Sequence, residues 1–148
     1  MLVSGVHLFI KKKSKILLLR RFNAQWENGK YSTIAGHLDG HESVIDAAVR
    51  EAKEEAGITI EPKDLEVVHV MHRRYNPKSK SYREFVLFFL TVKKWKGEPA
   101  ITEPDKSDDM RWFDIDKLPD NLVPYMKAGI SSWRKGLAFS EFIDPYPY

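Results

Sequence analysis

The chain contains no cysteine among its 148 residues. That absence excludes disulfide bonds and thiolate metal sites, and it agrees with the reducing cytoplasm in which we expect the protein to work. The sequence also lacks any apolar run of about eighteen residues, so we expect no membrane span. At the N-terminus a short apolar stretch precedes Lys11–Lys13, which reverses the order of charge and apolar run in a secretory signal.

The net charge is also small, because 24 basic residues against 21 acidic ones leave a net charge of only +3. A balance this mild makes nucleic-acid binding unlikely as the main function and is compatible with a small anionic partner. The apolar share of 43% and the charged share of 30% are typical of a folded globular chain. The length suits one ordinary domain, so we expect residues 1–148 to form a single domain.

The order of apolar patterns predicts strands mixed with two helices. Strands are predicted at 3–10, 16–22, 31–35, 65–71, 82–95 and 110–113, and helices at 44–56 and 122–136. The tail from 139 to 148 has no periodicity, and we expect it to be irregular or packed by its aromatic residues. Such a mixture is typical of an α+β fold or a three-layer α/β/α sandwich.

The helix predicted at 44–56 carries Glu51, Glu54 and Glu55 within an arc of about 100° of its surface. Like charges at that spacing repel, and the end of a helix disfavours negative charge. A hard divalent cation would relieve the repulsion, because magnesium prefers oxygen ligands. Ser43 is the predicted N-cap of this helix and Gly57 its C-terminal stop.

The stretch from 36 to 58 resembles the Nudix box, Gly-x5-Glu-x7-Arg-Glu-U-x-Glu-Glu-x-Gly-U, in which U is apolar. The matching positions are Gly36, Glu42, Arg50, Glu51, Ala52, Glu54, Glu55, Gly57 and Ile58. The resemblance, closest to MutT-like members, implies the Nudix fold with a mixed central sheet. It also implies hydrolysis of the diphosphate linkage of a nucleoside di- or triphosphate, or a related nucleoside diphosphate-X compound, with Mg²⁺ or Mn²⁺.

The same resemblance implies roles for individual residues. The metal shell would be the Gly36 carbonyl with the three carboxylates of Glu51, Glu54 and Glu55. Glu51 or Glu54 would take the proton from the attacking water, and Arg50 would orient the glutamates. Glu42 would stabilise the loop.

Family members often add one more carboxylate from the segment before the last short strand. Asp109 is the first choice here, and the other candidates are Glu103, Asp105 and Asp108. Substrate contacts are predicted at Arg20 and Arg21, which suit phosphates, and at Tyr31, which could stack on a base.

Several alternatives stay open at this point. The substrate could be ADP-ribose or a nucleotide sugar, or the chain could bind a nucleotide without cleaving it, although such modules usually lose a box glutamate. An isopentenyl diphosphate isomerase, which would share the fold, is strongly disfavoured because it needs a catalytic cysteine. RNA cap hydrolysis is disfavoured by the weak net charge. A homodimer through edge strands or the aromatic tail is possible, and the roles of His69, His72 and the basic loop 73–83 are unassigned.

Overall fold

A mixed eight-stranded sheet with two α-helices forms the part of the chain that the computed structural model describes, residues 2–80 and 83–145. In chain order the elements are β1 (Leu2–Lys12), β2 (Lys15–Arg21), β3 (Tyr31–Ser32), β4 (Ile34–His37), α1 (Val44–Ala56), a 3-10 turn (Pro62–Asp64), β5 (Leu65–Arg74), β6 (Glu84–Val92), β7 (Ser107–Asp114), α2 (Pro124–Arg134) and β8 (Phe139–Ile143). In this part of the chain, neither α-helix has the length and apolar character that a bilayer crossing requires.

Strand β1 is the centre of the sheet because it pairs with three other strands. It runs parallel to β6 and antiparallel to β4, and its last residues form a hairpin with β2. The strand order is β3-β2-β1-β6-β5-β8, with β7 also paired to β2. Because β1 bonds to both β4 and β6, it fixes the loop that follows β4, where α1 begins.

The two helices pack on opposite faces of the sheet. Leu8 and Ile10 of β1 belong to the buried cluster under α1, whereas Phe9, which points the other way, belongs to the cluster under α2. This alternation is what a strand buried on both faces requires. The arrangement gives three layers and confirms the predicted α+β sandwich with a mixed sheet.

The prediction of an irregular tail is wrong for residues 139–143, which form β8. This strand runs parallel to β5, and the flanking backbone bonds from Val70 N–H to Ala138 O and from Asp144 N–H to Arg74 O are both 2.9 Å long. Pairing with an existing edge therefore stabilises a segment whose own sequence has no strand periodicity. The remainder of the predicted tail, 146–148, lies outside the described residues.

Several element boundaries also differ from the prediction. Strand β5 continues three residues past Met71, so Arg73 and Arg74 belong to a strand and not to the predicted basic loop. The start of the predicted strand 82–95 falls at Tyr82, outside the described residues, and β6 ends at Val92. The second helix is shorter than predicted, and β7 is longer.

Candidate active site

Helix α1 begins and ends where the sequence predicts. The Ser43 side chain accepts a hydrogen bond from Asp46 N–H at 3.0 Å, and Gly57 has a left-handed φ of 69° that stops the helix. In the loop before the helix, Glu42 Oε1 accepts from Asp39 N–H at 2.8 Å. These contacts hold the box loop against the first turns of α1.

Arg50 connects this loop to the acidic end of the helix. Its Nε and Nη2 donate to the two carboxylate oxygens of Glu42 at 3.1 and 2.7 Å, a bidentate pair. Its Nη1 donates to Glu51 at 2.7 Å and to Glu54 at 3.2 Å. Hydrogen bonding to Glu42 is the main cause that raises the pKa of Arg50, and Arg50 lowers the pKa of Glu42 in turn. Arg50 is therefore placed to orient the glutamates.

Glu51 and Glu55 form a carboxylate pair beside β4. Glu51 is only 8% exposed, and Glu55 accepts a hydrogen bond from Ala35 N–H at 3.3 Å. Burial raises the pKa of Glu51 although Arg50 opposes the rise, and burial together with the charge of Glu51 raises the pKa of Glu55 well above its usual range. Two neighbouring carboxylates that resist losing their protons are a donor set that a divalent cation would stabilise.

Gly36 of β4 lies directly against this pair. A Cβ atom at position 36 would fall 2.0 Å from Glu51 Oε1, so any side chain larger than hydrogen would displace the carboxylate. The Gly36 carbonyl and the three glutamates fit Mg²⁺ or Mn²⁺ by donor type. Among the described residues no three His, Asp or Glu side chains already converge as a metal cluster, which agrees with Arg50 occupying the oxygens of Glu51 and Glu54.

The glutamates line a cavity of about 380 Å³, called here the acidic pocket. Its charged lining residues are Glu51, Glu54, Glu55, Glu103, Arg21 and Lys106. Glu103 comes from the loop before β7 and forms an ion pair of 3.2 Å with Lys106. Next to it, Thr102 hydrogen-bonds to the backbone carbonyl of Glu54 and ties this loop to the end of α1.

A second cavity of about 540 Å³ adjoins the first and is called here the cationic pocket. Its charged and aromatic lining residues are Arg21, Arg73, Arg83, Trp26, Tyr75, Phe85 and Tyr125, with His7 and His37. Among the described lining residues there is no carboxylate. The two cavities share Arg21, Ala35 and Tyr125, so they lie side by side at β4.

The structure does not bring Asp109, Arg20 or Tyr31 to either cavity. Asp109 accepts hydrogen bonds from the Tyr31 hydroxyl and, at 2.7 Å, from Arg111 Nε, which lower its pKa. Arg20 Nε donates to Asp108 at 2.7 Å. The catalytic role of Asp109 stays a prediction, and the placement favours Glu103, which the sequence also offered as a candidate.

The unassigned histidines make local contacts. The ring of His69 is buried between the Leu137 carbonyl, 2.7 Å from Nδ1, and the Ser140 hydroxyl, 2.7 Å from Nε2. A carbonyl can only accept, so Nδ1 carries the proton and His69 fastens β8 to β5. His72 Nε2 lies 2.7 Å from Glu84 on the neighbouring strand.

Sequence reasoning missed Arg73 and Asp144. Arg73 belonged to a predicted loop, and Asp144 to a predicted irregular tail. Continuing the alternation of β5 from His69 through Met71 would have placed Arg73 on the buried face toward α2. For Asp144 no local pattern in the sequence gives a signal.

Comparisons with known proteins agree with this geometry. The NUDIX domain family model matches residues 1–133. The chain is 27% identical over 112 residues to the NAD-capped RNA hydrolase NudC of Stutzerimonas stutzeri, covering 76% of this chain and 36% of that protein. It is 33% identical over 93 residues to the oxidized purine nucleoside triphosphate hydrolase of Danio rerio, covering 62% of this chain and 53% of that protein. The chain thus spans about half or less of the length of these relatives.

Among solved structures, the MutT NUDIX hydrolase from Burkholderia pseudomallei superimposes with a TM-score of 0.78 at 27% identity. The alignment covers 88% of this chain and 97% of that one. The resemblance that the 36–58 motif predicts is therefore confirmed, and so is the fold that it implies. By the extent of the family match and the motif on α1, the chain belongs to the NUDIX domain family.

Proposed function

We propose that this chain is a divalent-metal-dependent pyrophosphohydrolase that cleaves the diphosphate linkage of a small nucleotide. The observation that carries the proposal is the packing of Gly36 against Glu51, with Glu54 and Glu55 lining the same cavity. Mg²⁺ is the expected ion, with Mn²⁺ as a substitute, because all the donors are oxygens. Bound there, the metal would neutralise phosphate oxygens and make a water more acidic.

The chain's own residues would divide the remaining work. The Gly36 carbonyl, Glu51, Glu54 and Glu55 would hold the metal. Glu51 or Glu54 would accept a proton from the attacking water, since both line the acidic pocket.

Supporting roles would fall to the residues around them. Arg50 would hold the carboxylates in place through its contacts of 2.7 and 3.2 Å to Glu51 and Glu54. Glu103 would add negative charge from the loop before β7. Arg21, which lines both cavities, would contact the phosphate chain.

The first choice of substrate is a free nucleoside di- or triphosphate. A nucleotide joined to a second group, as in ADP-ribose or a nucleotide sugar, is the second choice, and the 540 Å³ of the adjoining cationic pocket supports it by offering room beyond the phosphates. Two of the relatives are named for RNA caps and for oxidized purine nucleoside triphosphates. We propose the small nucleotide because a net charge of +3 is mild for a protein that binds RNA through its phosphate backbone.

We further propose that residues 1–148 act as one domain and that the protein works in the cytoplasm. The single sheet from β3 to β8 and the absence of cysteine support these two points. The homodimer stays a prediction. Sedimentation of the full chain at several concentrations tests it, and a monomer throughout would contradict it.

The decisive experiment is a phosphate-release screen with Mg²⁺ over nucleoside di- and triphosphates, ADP-ribose, nucleotide sugars and dinucleoside polyphosphates. We expect turnover of at least one class, and loss of that turnover in the double variant Glu54→Gln/Glu55→Gln. The matched control is Glu66→Gln/Glu98→Gln, which makes the same charge change at two exposed positions away from the cavity. Near-normal activity of the first double variant would refute the proposed site. Nucleotide binding without any turnover would show a binding module instead.

A further inference from the structure

Arg73 is a buried cation that the proposed chemistry does not use. It is 4% exposed and lines the cationic pocket. Its guanidinium carbon lies 4.4 Å from the ring centre of Tyr125, 4.6 Å from Phe85, 5.0 Å from Trp26 and 5.4 Å from Tyr75. Four rings therefore surround one guanidinium, an arrangement that fixes its orientation.

The charge of Arg73 is matched by Asp144, but its hydrogen-bonding capacity is not. Nη2 forms an ion pair of 2.6 Å with a carboxylate oxygen of Asp144, which is 1% exposed. Within residues 2–80 and 83–145, Arg73 Nε has no hydrogen-bond acceptor. What the buried guanidinium lacks is thus an acceptor atom and not a counter-charge.

Asp144 reaches this position because β8 extends the sheet. The family model ends at residue 133, so β8 and Asp144 lie beyond the matched part of the chain. The parallel pairing of β8 with β5 and the bond from Asp144 N–H to Arg74 O place the carboxylate beside Arg73. A segment outside the matched part of the chain therefore supplies the carboxylate that pairs with Arg73.

We propose that Arg73, positioned by Asp144, recognises a keto oxygen on the nucleobase of the substrate, so that the chain prefers keto bases to amino bases. This inference rests on the proposed function, because the base would belong to the nucleotide whose phosphates lie in the acidic pocket. Arg73 is then a specificity-determining residue, and Asp144 is a positioning residue that acts through it.

Three observations favour a neutral keto group over a second phosphate. The charge of Arg73 is already balanced by Asp144, so a further anion gains little from it. The aromatic lining suits a planar ring. No carboxylate among the described lining residues is available to accept a hydrogen bond from an exocyclic amino group, whereas arginine donors match the keto oxygen of guanine.

The test uses calorimetry to measure the equilibrium binding of nucleoside monophosphates to the full chain without metal. Two pairs place a keto group in one member where the other has an amino group: GMP against AMP at purine C6, and UMP against CMP at pyrimidine C4. UMP and CMP differ in that substituent alone, whereas GMP also carries an amino group at C2. Ribose 5-phosphate measures binding without a base. We expect the keto member of each pair to bind roughly tenfold more tightly, and ribose 5-phosphate to bind more weakly than either. Equal affinities within both pairs would overturn the proposal, and so would ribose 5-phosphate binding as tightly as GMP, which would show a phosphate site.

The variant Arg73→Gln/Asp144→Asn removes both charges together, and Arg73→Lys retains the charge but not the planar fork. We expect the keto preference to fall close to one in the first and to shrink in the second. The matched control is Arg74→Gln, the exposed neighbour on the same strand, which should keep the full preference. Thermal unfolding distinguishes a role of Arg73 and Asp144 in holding β8 to the sheet from a role in recognising the base. A variant that melts earlier but retains the wild-type base preference would show that the pair only fastens β8.

The outcome of the phosphate-release screen does not decide this inference, because the binding assay needs neither metal nor turnover. A chain that hydrolyses nothing in the screen but discriminates keto from amino bases would refute the proposed enzyme and support the base-recognition site. Turnover in the screen with equal binding of keto and amino bases would support the proposed enzyme and refute the base-recognition site. The wild-type comparison stands even if a variant fails to fold.

Discussion

The two adjoining cavities differ in charge although they share Arg21, Ala35 and Tyr125. Four glutamates line the acidic pocket, and three arginines without a carboxylate line the described part of the cationic one. Carboxylates attract metal and arginines donate hydrogen bonds, so the two halves suit different parts of one substrate. In the functions proposed above, the chemistry and the choice of substrate therefore use separate side chains that meet at β4.

The largest expected effect tests the glutamates of the acidic pocket. Gly36→Ala would place a Cβ 2.0 Å from the present position of Glu51 Oε1 and displace that carboxylate. We expect kcat for the best substrate to fall about a hundredfold, because misplacing a catalytic group by about 1 Å costs on that order. KM should change much less. Steady-state kinetics at saturating Mg²⁺ measures both.

The control for this prediction is a double variant. If Gly36→Ala acts through Glu51, adding it to Glu51→Gln should cause little further loss, because effects of groups that work as a unit are not additive. Full multiplication of the two losses would show that position 36 acts independently of Glu51.

The next prediction concerns a buried histidine of the cationic pocket that stays uncharged at neutral pH. His7 is buried between Thr33 Oγ1 at 3.0 Å and the Tyr125 hydroxyl at 3.2 Å. Burial, with the charges of Arg73, His37 and Arg21, lowers its pKa to about 3. The folded-state pKa lies below the unfolded value of about 6.5, so the stability is fully present above pH 6.5 and is lost as pH falls toward 3.

Between pH 7 and pH 5 this one histidine should therefore reduce the free energy of unfolding by about 2 kcal/mol. His7→Gln removes the titrating group, and we expect its stability to fall by that much less over the same interval. Urea unfolding of both proteins at the two pH values checks this. An equal fall in both proteins would mean that folding does not lower the pKa of His7.

The sequence could predict the part of the acidic pocket formed by Glu51, Glu54 and Glu55, because these glutamates and Gly36 lie within the 23 residues from 36 to 58. The spacing of the helix brings the glutamates together, Ser43 and Gly57 set its ends, and Gly36 precedes them in the adjacent strand. The cationic half is different, since its arginines come from β2, β5 and the segment before β6. Its geometry depends on strand pairings that only the folded sheet determines, above all that of β8 with β5.

The additional carboxylate illustrates the same limit. Four acids lie between 103 and 109, and no local rule decides which of them faces the cavity. Backbone pairing decides it: Asp109 pairs with Arg20 across β2 and β7, and its side chain contacts Tyr31, while Glu103 lies in the preceding loop on the wall of the acidic pocket. Register, which depends on distant strands, was therefore the missing information.

A smaller effect should separate these two acids. We expect Glu103→Gln to lower kcat about tenfold, the low end of losses for residues that support a metal site. Asp109→Asn should lower kcat less than about threefold, because its partners Tyr31 and Arg111 lie outside both cavities. Parallel kinetics with a Mg²⁺ titration measures this. The reverse order would restore Asp109 as the additional catalytic acid and redraw the boundary of the acidic pocket.

The smallest expected effect lies where the two cavities meet. Arg21 lines both, and its Nε donates a 3.0 Å hydrogen bond to Trp26 O. In the proposed function its other two nitrogens would contact the phosphate chain. Losing a charge-assisted contact of about 1 kcal/mol in Arg21→Gln should raise KM about fivefold with kcat nearly unchanged. Arg20→Gln is the matched control, since Arg20 lines neither cavity and pairs with Asp108 at the surface, and we expect KM to stay within about twofold. Equal effects at the two positions would mean that the phosphate chain extends beyond the junction toward β7, and that the two cavities are not the whole of the substrate site.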